Sequence, residues 1–308
     1  MKYFLVCNPG SRNSRGKKLI EAYRKLLDKR AVDYTCGFTS ELEDATKIAS
    51  EAISAGFKTV VAVGGDGTIN RVLNGFYGKG NSEASASLGV LYSGTSPDFC
   101  RFHRIPLEKQ KAVDSLVSGT EKKVDVCRIE FSDENGTRRH ACYASSTNIG
   151  LGPGVAGRSN RYRKAIGDFA GTLSATVVSI FSVKYFDGVL TIDAVDNKLS
   201  RVLNVTIGKN PYLASGLKLG VQVTPSDGKL FVFALKEVKK IGLLSALHKA
   251  YSGSITGDDR FLLSSGETVS FKTDASVTGI EFDGDPAGFC PVKVTVMKQS
   301  LTLLGVGE

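Results

Sequence analysis

Short, unbroken apolar runs alternate with longer stretches whose apolar side chains recur every three or four positions. Tyr3-Phe-Leu-Val-Cys7 is such a run and reads as a strand buried on both faces, ended by Asn8-Pro9-Gly10. Over 17–29, Leu19, Ile20, Tyr23, Leu26 and Leu27 fall on one face of a helix. A second strand is expected over 31–36. Leu42, Ala45, Ile48, Ala49 and Ala52 have helical spacing over 41–55. Lys58-Thr-Val-Val-Ala-Val63 and Leu88–Tyr92 are β-branched or apolar strands, with helices expected over 69–76 and 107–117. Strands alternating with helices build βαβ units around a parallel sheet. Residues 1–124 therefore read as an α/β domain, doubly wound on a mostly parallel sheet.

Beyond that point the pattern changes. Strand-like runs crowd together at 124–131, 138–147, 188–195, 201–208, 229–235, 267–273, 277–283 and 291–297. Turn signals such as Asp133-Glu-Asn-Gly136, Asp187-Gly188 and Asp227-Gly228 punctuate them. Only 160–185 and 239–251 read as helical. Residues 125–297 thus form a second, β-rich domain, mostly antiparallel and sandwich-like. The tail 298–308 is expected to return to the first domain. A chain of 308 residues with 42% hydrophobic and 23% charged residues has enough apolar material for two cores.

The net charge is +9, which attracts anionic partners but equally serves solubility. The basic residues gather beside Gly-rich turns, at Arg12/Arg15/Lys17/Lys18 and Arg158/Arg161/Arg163/Lys164. Neither cluster matches a reader motif, and Tyr162 is the single aromatic within them, so nucleic-acid binding has little support. The six cysteines form no C-x-x-C pair and read as free thiols of a reducing compartment. Three scattered histidines give no basis for a His-centred metal site or a Ser/His/Asp triad. The N-terminus lacks a signal pattern, and the charge-free stretch Phe169–Val183, like Ala141–Gly157, is shorter than the ~20 residues of a membrane span. The expectation is a cytoplasmic protein without a transmembrane segment, peripheral to the inner face of a membrane at most. The oligomeric state is not legible; a homodimer is one arrangement.

Among segments that could carry chemistry, Gly64-Gly-Asp-Gly-Thr68 stands first. Consecutive glycines let backbone N–H groups turn toward an anion, and the following helix presents its positive end. Asp66 stands where a carboxylate meets a phosphate-bound Mg²⁺ or a substrate hydroxyl. A tight turn with an Asp/Thr cap accounts for the same residues structurally. The place at the carboxyl end of a parallel strand favours a nucleotide. Gly10 and Gly16-Lys17 approach a P-loop, but five residues intervene instead of four and Lys18 stands where Ser or Thr is required. A phosphate contact by Ser11, Arg12 or that loop's backbone remains, beside the alternative of a solvated surface turn. Gly152-Pro-Gly-Val-Ala-Gly157 matches G-x-G-x-x-G without an acidic partner at the right offset, and reads as a loop. The helix over 160–185 turns from basic to apolar; it is a core element or a wall for acyl chains. Asp283 and Asp285, at i and i+2 in an extended segment, share a face and suit base catalysis, with one accepting a proton and the other orienting or holding metal. An Asp-Gly hairpin turn is the structural alternative.

A family resemblance weighs on these alternatives. Val63-Gly-Gly-Asp-Gly-Thr-Ile-Asn70 resembles the signature shared by diacylglycerol kinases, sphingosine kinases and NAD kinases. Ser93-Gly-Thr-Ser-Pro-Asp-Phe-Cys-Arg101 resembles a segment of the lipid-kinase branch, as do Asn8-Pro9-Gly10-Ser11 and Phe282-Asp-Gly-Asp-Pro286. The motifs occur in family order across nearly the whole chain. The resemblance to the diacylglycerol kinase catalytic-domain family implies an ATP- and Mg²⁺-dependent lipid kinase acting at a membrane surface with anionic headgroups. It places ATP against Asn8, Pro9, Ser11 and Arg12, against Gly64, Gly65, Asp66, Gly67 and Thr68, and against Thr95 and Asp98. It assigns metal to Asp66, Asp98 and Asp285, and catalysis to Asp283 as base with Asp285 beside it. Sphingoid-base kinase, NAD kinase and a catalytically weak nucleotide- or lipid-binding protein are the alternatives. Two departures stand out: Pro97 replaces an Asn, and Asp285 replaces a Glu, shortening the reach by one methylene.

Overall fold

In the computed structural model, residues 2–11, 16–78, 83–151, 184–213, 217–236, 242, 245–246, 249, 257–273, 278–283 and 285–307 are described. They divide into two units, one of Met1–Val126 with Met297–Glu308, the other of Cys127–Val296.

The first unit begins with β1 (Tyr3–Cys7), α1 (Gly16–Asp28), β2 (Tyr34–Phe38), α2 (Asp44–Ser54), β3 (Thr59–Gly64), α3 (Asp66–Phe76) and β4 (Ser87–Tyr92). Two helices follow, α4 (Asp98–His103) and α5 (Lys109–Ser118). β3 is buried along its whole length, as its β-branched run requires. β1 lies between β2 and β3, and β4 lies beyond β3, all parallel. The last residues of a long strand, β16 (Asp285–Leu304), add to the other edge of β4, with Thr302–Leu304 parallel to Ser87–Gly89. Alternation along β1 separates the two faces. Leu5 and Cys7 pack with Ile20, Tyr23 and Leu27 of α1 and Ala112, Val113 and Leu116 of α5. α2 and α3 pack on each other, with α2 against β1 and β3 and α3 against β3. Helices on both faces of a parallel sheet make this the doubly wound domain expected.

Helix boundaries differ from the periodic reading for local reasons. α2 starts at Asp44 rather than 41, because the Asp44 carboxylate accepts the N–H groups of Ser40 and Glu41 at 2.8 and 2.9 Å and holds a turn there. α3 starts three residues early, where the Gly65 carbonyl accepts the Ile69 N–H at 3.0 Å. α4 escapes a periodicity search because it has only six residues and stops at Arg104, whose φ is 56°.

The second unit is built of β5 (Glu121–Ser132, which starts in the first), β6 (Arg138–Tyr143), β7 (Ser146–Gly150), β8 (Phe186–Ile192) and β9 (Val195–Gly208). A two-strand ladder, β10 (Tyr212–Leu213) with β11 (Leu217–Lys218), follows. Then come β12 (Leu230–Lys236), β13 (Phe261–Gly266), β14 (Thr268–Lys272), β15 (Gly279–Phe282) and the first part of β16. One run of strands has the order β13-β12-β9-β7-β15-β16, while β8 bridges β9 and β14, and β14 returns to β16. The long β9 therefore serves both layers of an antiparallel sandwich, pairing β8 through its first half and β7 and β12 through its second. Its core draws on Ile129, Tyr143, Ile149, Leu190, Val205, Val232, Phe271, Phe282 and Val294 among others. β13 and the β10/β11 ladder were not legible as separate runs, and the expected single strand 138–147 is two, β6 and β7. Of the helix expected over 160–185 only Lys184 and Tyr185 are described, neither of them helical, and the Gly-rich segment 152–157 lies outside the described residues; of 239–251, Gly242 is described in a 3-10 turn and Ser245, Ala246 and Lys249 as α-helical. Among the described residues no helix is long and apolar enough to cross a membrane.

Candidate active site

The first unit presents its polar loops where the sheet reverses its winding. From β1 the chain passes through α1 to β2 on one side, then through α2 to β3 on the other. That reversal opens a crevice at the carboxyl ends of β1 and β3, the place where such sheets bind ligands. The two loops leaving these ends are stitched together. The Asn8 N–H donates to the Val63 carbonyl at 3.0 Å. The Asn8 side-chain amide donates to Thr68 Oγ1 at 2.9 Å, and its oxygen accepts the Gly10 N–H at 3.0 Å. The loop after β4 joins them, with the Ser93 N–H on the Gly64 carbonyl at 2.8 Å and the Ser93 hydroxyl 3.0 Å from that of Ser11. Tyr23 of α1 donates to the Tyr92 carbonyl at 2.7 Å and fixes the end of β4.

Close approach explains the glycines. A Cβ on Gly94 would lie 2.5 Å from Gly65 Cα, and one on Gly64 would run into the Thr68 side chain. Gly67 is different: a Cβ there would meet only Leu42, at an ordinary 3.5 Å. The first-turn N–H groups of α3, with the positive end of its dipole, point out of this glycine-lined bend. Backbone packed this closely, with hydroxyl and amide side chains around it, fits the phosphates of a nucleotide.

Two carboxylates border the bend. Asp66 Oδ2 accepts the Phe99 N–H at 3.5 Å. The buried Tyr92 phenol is pushed far up by desolvation and then by the Asp66 charge beside it, and it serves Asp66 as a neutral donor. Asp98 is buried; its carboxylate accepts the Ser96 hydroxyl at 3.1 Å and pairs with Arg101 at 3.3 Å. Pro97 starts α4, with φ −83° and its carbonyl accepting the Arg101 N–H at 2.9 Å, so the ring that removes an amide also sets a helix start. Thr95 is exposed. Among the described residues no cluster of three or more His, Cys, Asp or Glu side chains gathers. Mg²⁺ bound mainly by phosphate and water needs only one or two carboxylates, and Asp66 and Asp98 fit that donor set. Arg12 lies outside the described residues, and of Asp285 only the backbone is described.

In the second unit, Asp283 stands at the two-residue connection between β15 and β16, where Phe282 pairs with Asp285. Its φ is 50°, so the expectation of an extended Asp283–Asp285 pair on one strand face is corrected. A left-handed residue at the first turn position suits the twist of a two-residue hairpin, and Asp is among the residues that tolerate it. The structural reading of Asp-Gly as a turn thus describes the backbone, and the side chain has its own site. Asp283 Oδ1 accepts the N–H groups of Ser145 and Ser146, each at 3.1 Å, and Oδ2 accepts that of Ala144 at 3.2 Å. The Asp283 N–H returns to the Ser146 carbonyl at 3.0 Å. The carboxylate therefore has one fixed orientation, set by the strand ends of β6 and β7.

Residue types point to Ser11 and the 64–68 bend, while Asn8 and the choice of Asp283 over a plain turn come from the family resemblance, which also includes Ser93 and Gly94 in its second segment. Neither route singles out Tyr23 or Tyr92, nor Ala144–Ser146, which act through backbone N–H groups that every non-proline residue has.

A doubly wound domain with a Gly-Gly-Asp-Gly-Thr bend, coupled to an antiparallel sandwich, is the architecture of a two-domain class of kinases. The diacylglycerol kinase catalytic domain matches residues 2–129, and the YegS C-terminal NAD kinase beta sandwich-like domain matches residues 145–305. By the second match, which spans more than half of its length, the chain belongs to the family with the YegS C-terminal NAD kinase beta sandwich-like domain, and its first part is similar to the diacylglycerol kinase catalytic domain. It is 30% identical over 122 residues to the diacylglycerol kinase of Staphylococcus saprophyticus, covering 40% of this chain and 39% of that protein. A Staphylococcus aureus diacylglycerol kinase (strain bovine RF122) is 33% identical over 122 residues, 40% of this chain and 38% of the relative. These matches thus span well under half the length of the curated relatives. The fold is shared with the crystal structure of a diacylglycerol kinase from Bacillus anthracis str. Sterne, at TM-score 0.72 and 19% identity over 98% of this chain and 96% of the other. It is shared more distantly with yeast NADH kinase complexed with NADH, at TM-score 0.53 and 11% identity over 99% and 83%.

Proposed function

We propose that this chain is an ATP-dependent kinase that phosphorylates the hydroxyl of diacylglycerol or a related lipid at a membrane surface. The observation that carries the reading is the Asn8–Thr68 hydrogen bond, which joins the loops after β1 and β3 at the switch point of the sheet. Gly64–Thr68 and the Asn8-Pro9-Gly10-Ser11 loop, with Arg12, hold the triphosphate; Thr95 and Asp98 border it. Asp66 and Asp98, with Asp285, are the residues to hold Mg²⁺, which when bound neutralises charge on the phosphate oxygens. Asp283 accepts the proton of the lipid hydroxyl. The hydroxyl oxygen forms a bond to the γ-phosphorus as the bond from that phosphorus to the β–γ bridging oxygen breaks, leaving ADP and a phosphorylated lipid. Positioning and charge supply most of the acceleration in such transfers. The fixed Asp283 carboxylate supports the base role, since a base must sit in hydrogen-bond reach before its basicity matters. A basic chain without a membrane-spanning helix among its described residues supports a cytoplasmic, peripheral enzyme that meets anionic headgroups.

The test is a panel of acceptors with γ-labelled ATP and Mg²⁺: dioleoylglycerol, sphingosine and ceramide in mixed micelles, and NAD in solution. Label on dioleoylglycerol, lost in the Asp283→Asn variant, is expected. Label on NAD alone would replace the lipid assignment. ATP binding with no labelled product from any acceptor would make this a binding protein.

A further inference from the structure

Lys209 is a fully buried lysine in the second unit, 1% exposed. Its ammonium donates to the Asp227 carboxylate and, at 2.9 Å, to the Lys229 carbonyl. Asp227 is itself anchored, accepting the N–H groups of Thr224 at 2.6 Å and Lys229 at 2.9 Å. The ammonium is therefore an internal cation that ties the corner after β9 to the loop before β12.

That corner leads directly to Asp283. The N–H groups of Lys209 and Asn210 both donate to the Ser145 carbonyl, at 2.8 and 3.2 Å, and the Asn210 side-chain amide reaches Ser145 Oγ at 3.3 Å. Gly208 permits this approach, because a Cβ there would lie 2.7 Å from the Ser145 carbonyl oxygen. The Ser145 carbonyl and the Ser146 N–H belong to one peptide group. Its oxygen end is gripped twice by the Lys209–Asn210 corner, and its N–H end donates to Asp283 Oδ1. Donation to a carbonyl polarises the peptide and strengthens its N–H as a donor, and it fixes the plane in which that N–H points.

We propose that Lys209 is a positioning residue for the Asp283 carboxylate, acting through the Lys209–Asn210 corner and the Ser145–Ser146 peptide. The inference rests on the reading of Asp283 as the base of the proposed kinase. Asn210 shares the task through its own two hydrogen bonds, and Asp227 acts by holding the ammonium.

The experiment compares wild type, Asp283→Asn, Lys209→Arg, Lys209→Met and the doubly neutral Lys209→Met/Asp227→Asn. The last removes both charges at once and avoids leaving one of them unpaired, which keeps a foldable variant in the set. Phosphoryl transfer to dioleoylglycerol, or to whichever acceptor the panel identifies, is measured below each variant's melting temperature. The Ser146 amide resonance is followed in ¹⁵N-labelled protein. The expected result for the double variant is a roughly 10- to 100-fold lower kcat, the range a displaced catalytic group produces. KM for ATP should stay within about twofold, because the phosphate contacts argued above belong to the other unit. The Ser146 amide should move upfield, and Lys209→Arg should recover part of kcat by restoring a cation. A merely structural lysine would lower the melting temperature and leave kcat and the Ser146 resonance in place in the folded double variant; that result overturns the inference alone. Normal turnover by Asp283→Asn overturns the base reading and the inference together.

Discussion

Asn8, Ser11, Thr68 and Ser93 hold the bend of the first unit by side chains that reach one another, with glycines letting the backbones close up. Asp283 in the second unit is held the other way round. There the proposed base is a side chain, and its three amide donors come from backbone. Beside the backbone bonds from Asn8 to Val63 and from Ser93 to Gly64, the first arrangement depends on residue type at these four positions, so single side-chain changes should weaken it by degrees. The second depends on the path of the chain through 144–146, so it responds to whatever sets that path and little to the side chains on it.

The two arrangements can be separated by variants. Asp283→Asn should show the largest effect, a loss of about 10³-fold in kcat, within the range for removing a general base. Calorimetric ATP affinity should stay within about twofold of wild type. A parallel loss of ATP affinity would break the distinction between the two sites.

Asp227→Asn probes the support behind Asp283. Burial works to raise the Asp227 carboxyl, but the Lys209 hydrogen bond and two backbone donors outweigh it, so Asp227 titrates below the usual carboxylate range. A depressed value in the folded state means stabilisation that is complete above the unfolded value near 4 and is lost as pH falls through the folded one. Asp227→Asn should thus cost about 2 kcal/mol in urea unfolding at pH 7, the scale of a hydrogen bond to a charged partner. The deficit should shrink in strong acid, and an equal deficit at pH 7 and in strong acid would show that the charge is not the cause.

Gly94→Ala tests crowding in the first unit. The added methyl would meet Gly65 Cα at 2.5 Å, and overpacking of this kind costs about 1–3 kcal/mol. ATP affinity should fall, whereas Gly67→Ala, with room for its methyl, should bind ATP within a few-fold of wild type. Equal behaviour of the two would remove close approach as the reason for the glycines. The smallest effect is expected from the Asn8–Thr68 tie: a double-mutant cycle of Asn8→Ala and Thr68→Val on ATP binding should give a coupling near 1 kcal/mol, about fivefold. Additive losses would mean the two residues act separately.

Much of this protein is legible without coordinates. Apolar spacing of 3.6 in α1 and α5 and of two in the later strands comes from which face each side chain turns to the core, and that regularity carries the fold class. The Gly-Gly-Asp-Gly-Thr bend is legible from its place at the carboxyl end of a buried parallel strand, since its residue types alone suit a capped turn equally. Tertiary structure alone decided the rest. α4 is too short for a period to emerge. β13, Phe261-Leu-Leu-Ser-Ser-Gly266, has no apolar/polar alternation in its sequence and becomes a strand by pairing with β12. The setting of Asp283 depends on amides 137 to 139 positions away in sequence, and on a lysine whose charge sits in the interior because Asp227 meets it there. Backbone N–H groups are alike in almost every residue, so no composition marks the ones that matter; only the folded path selects them.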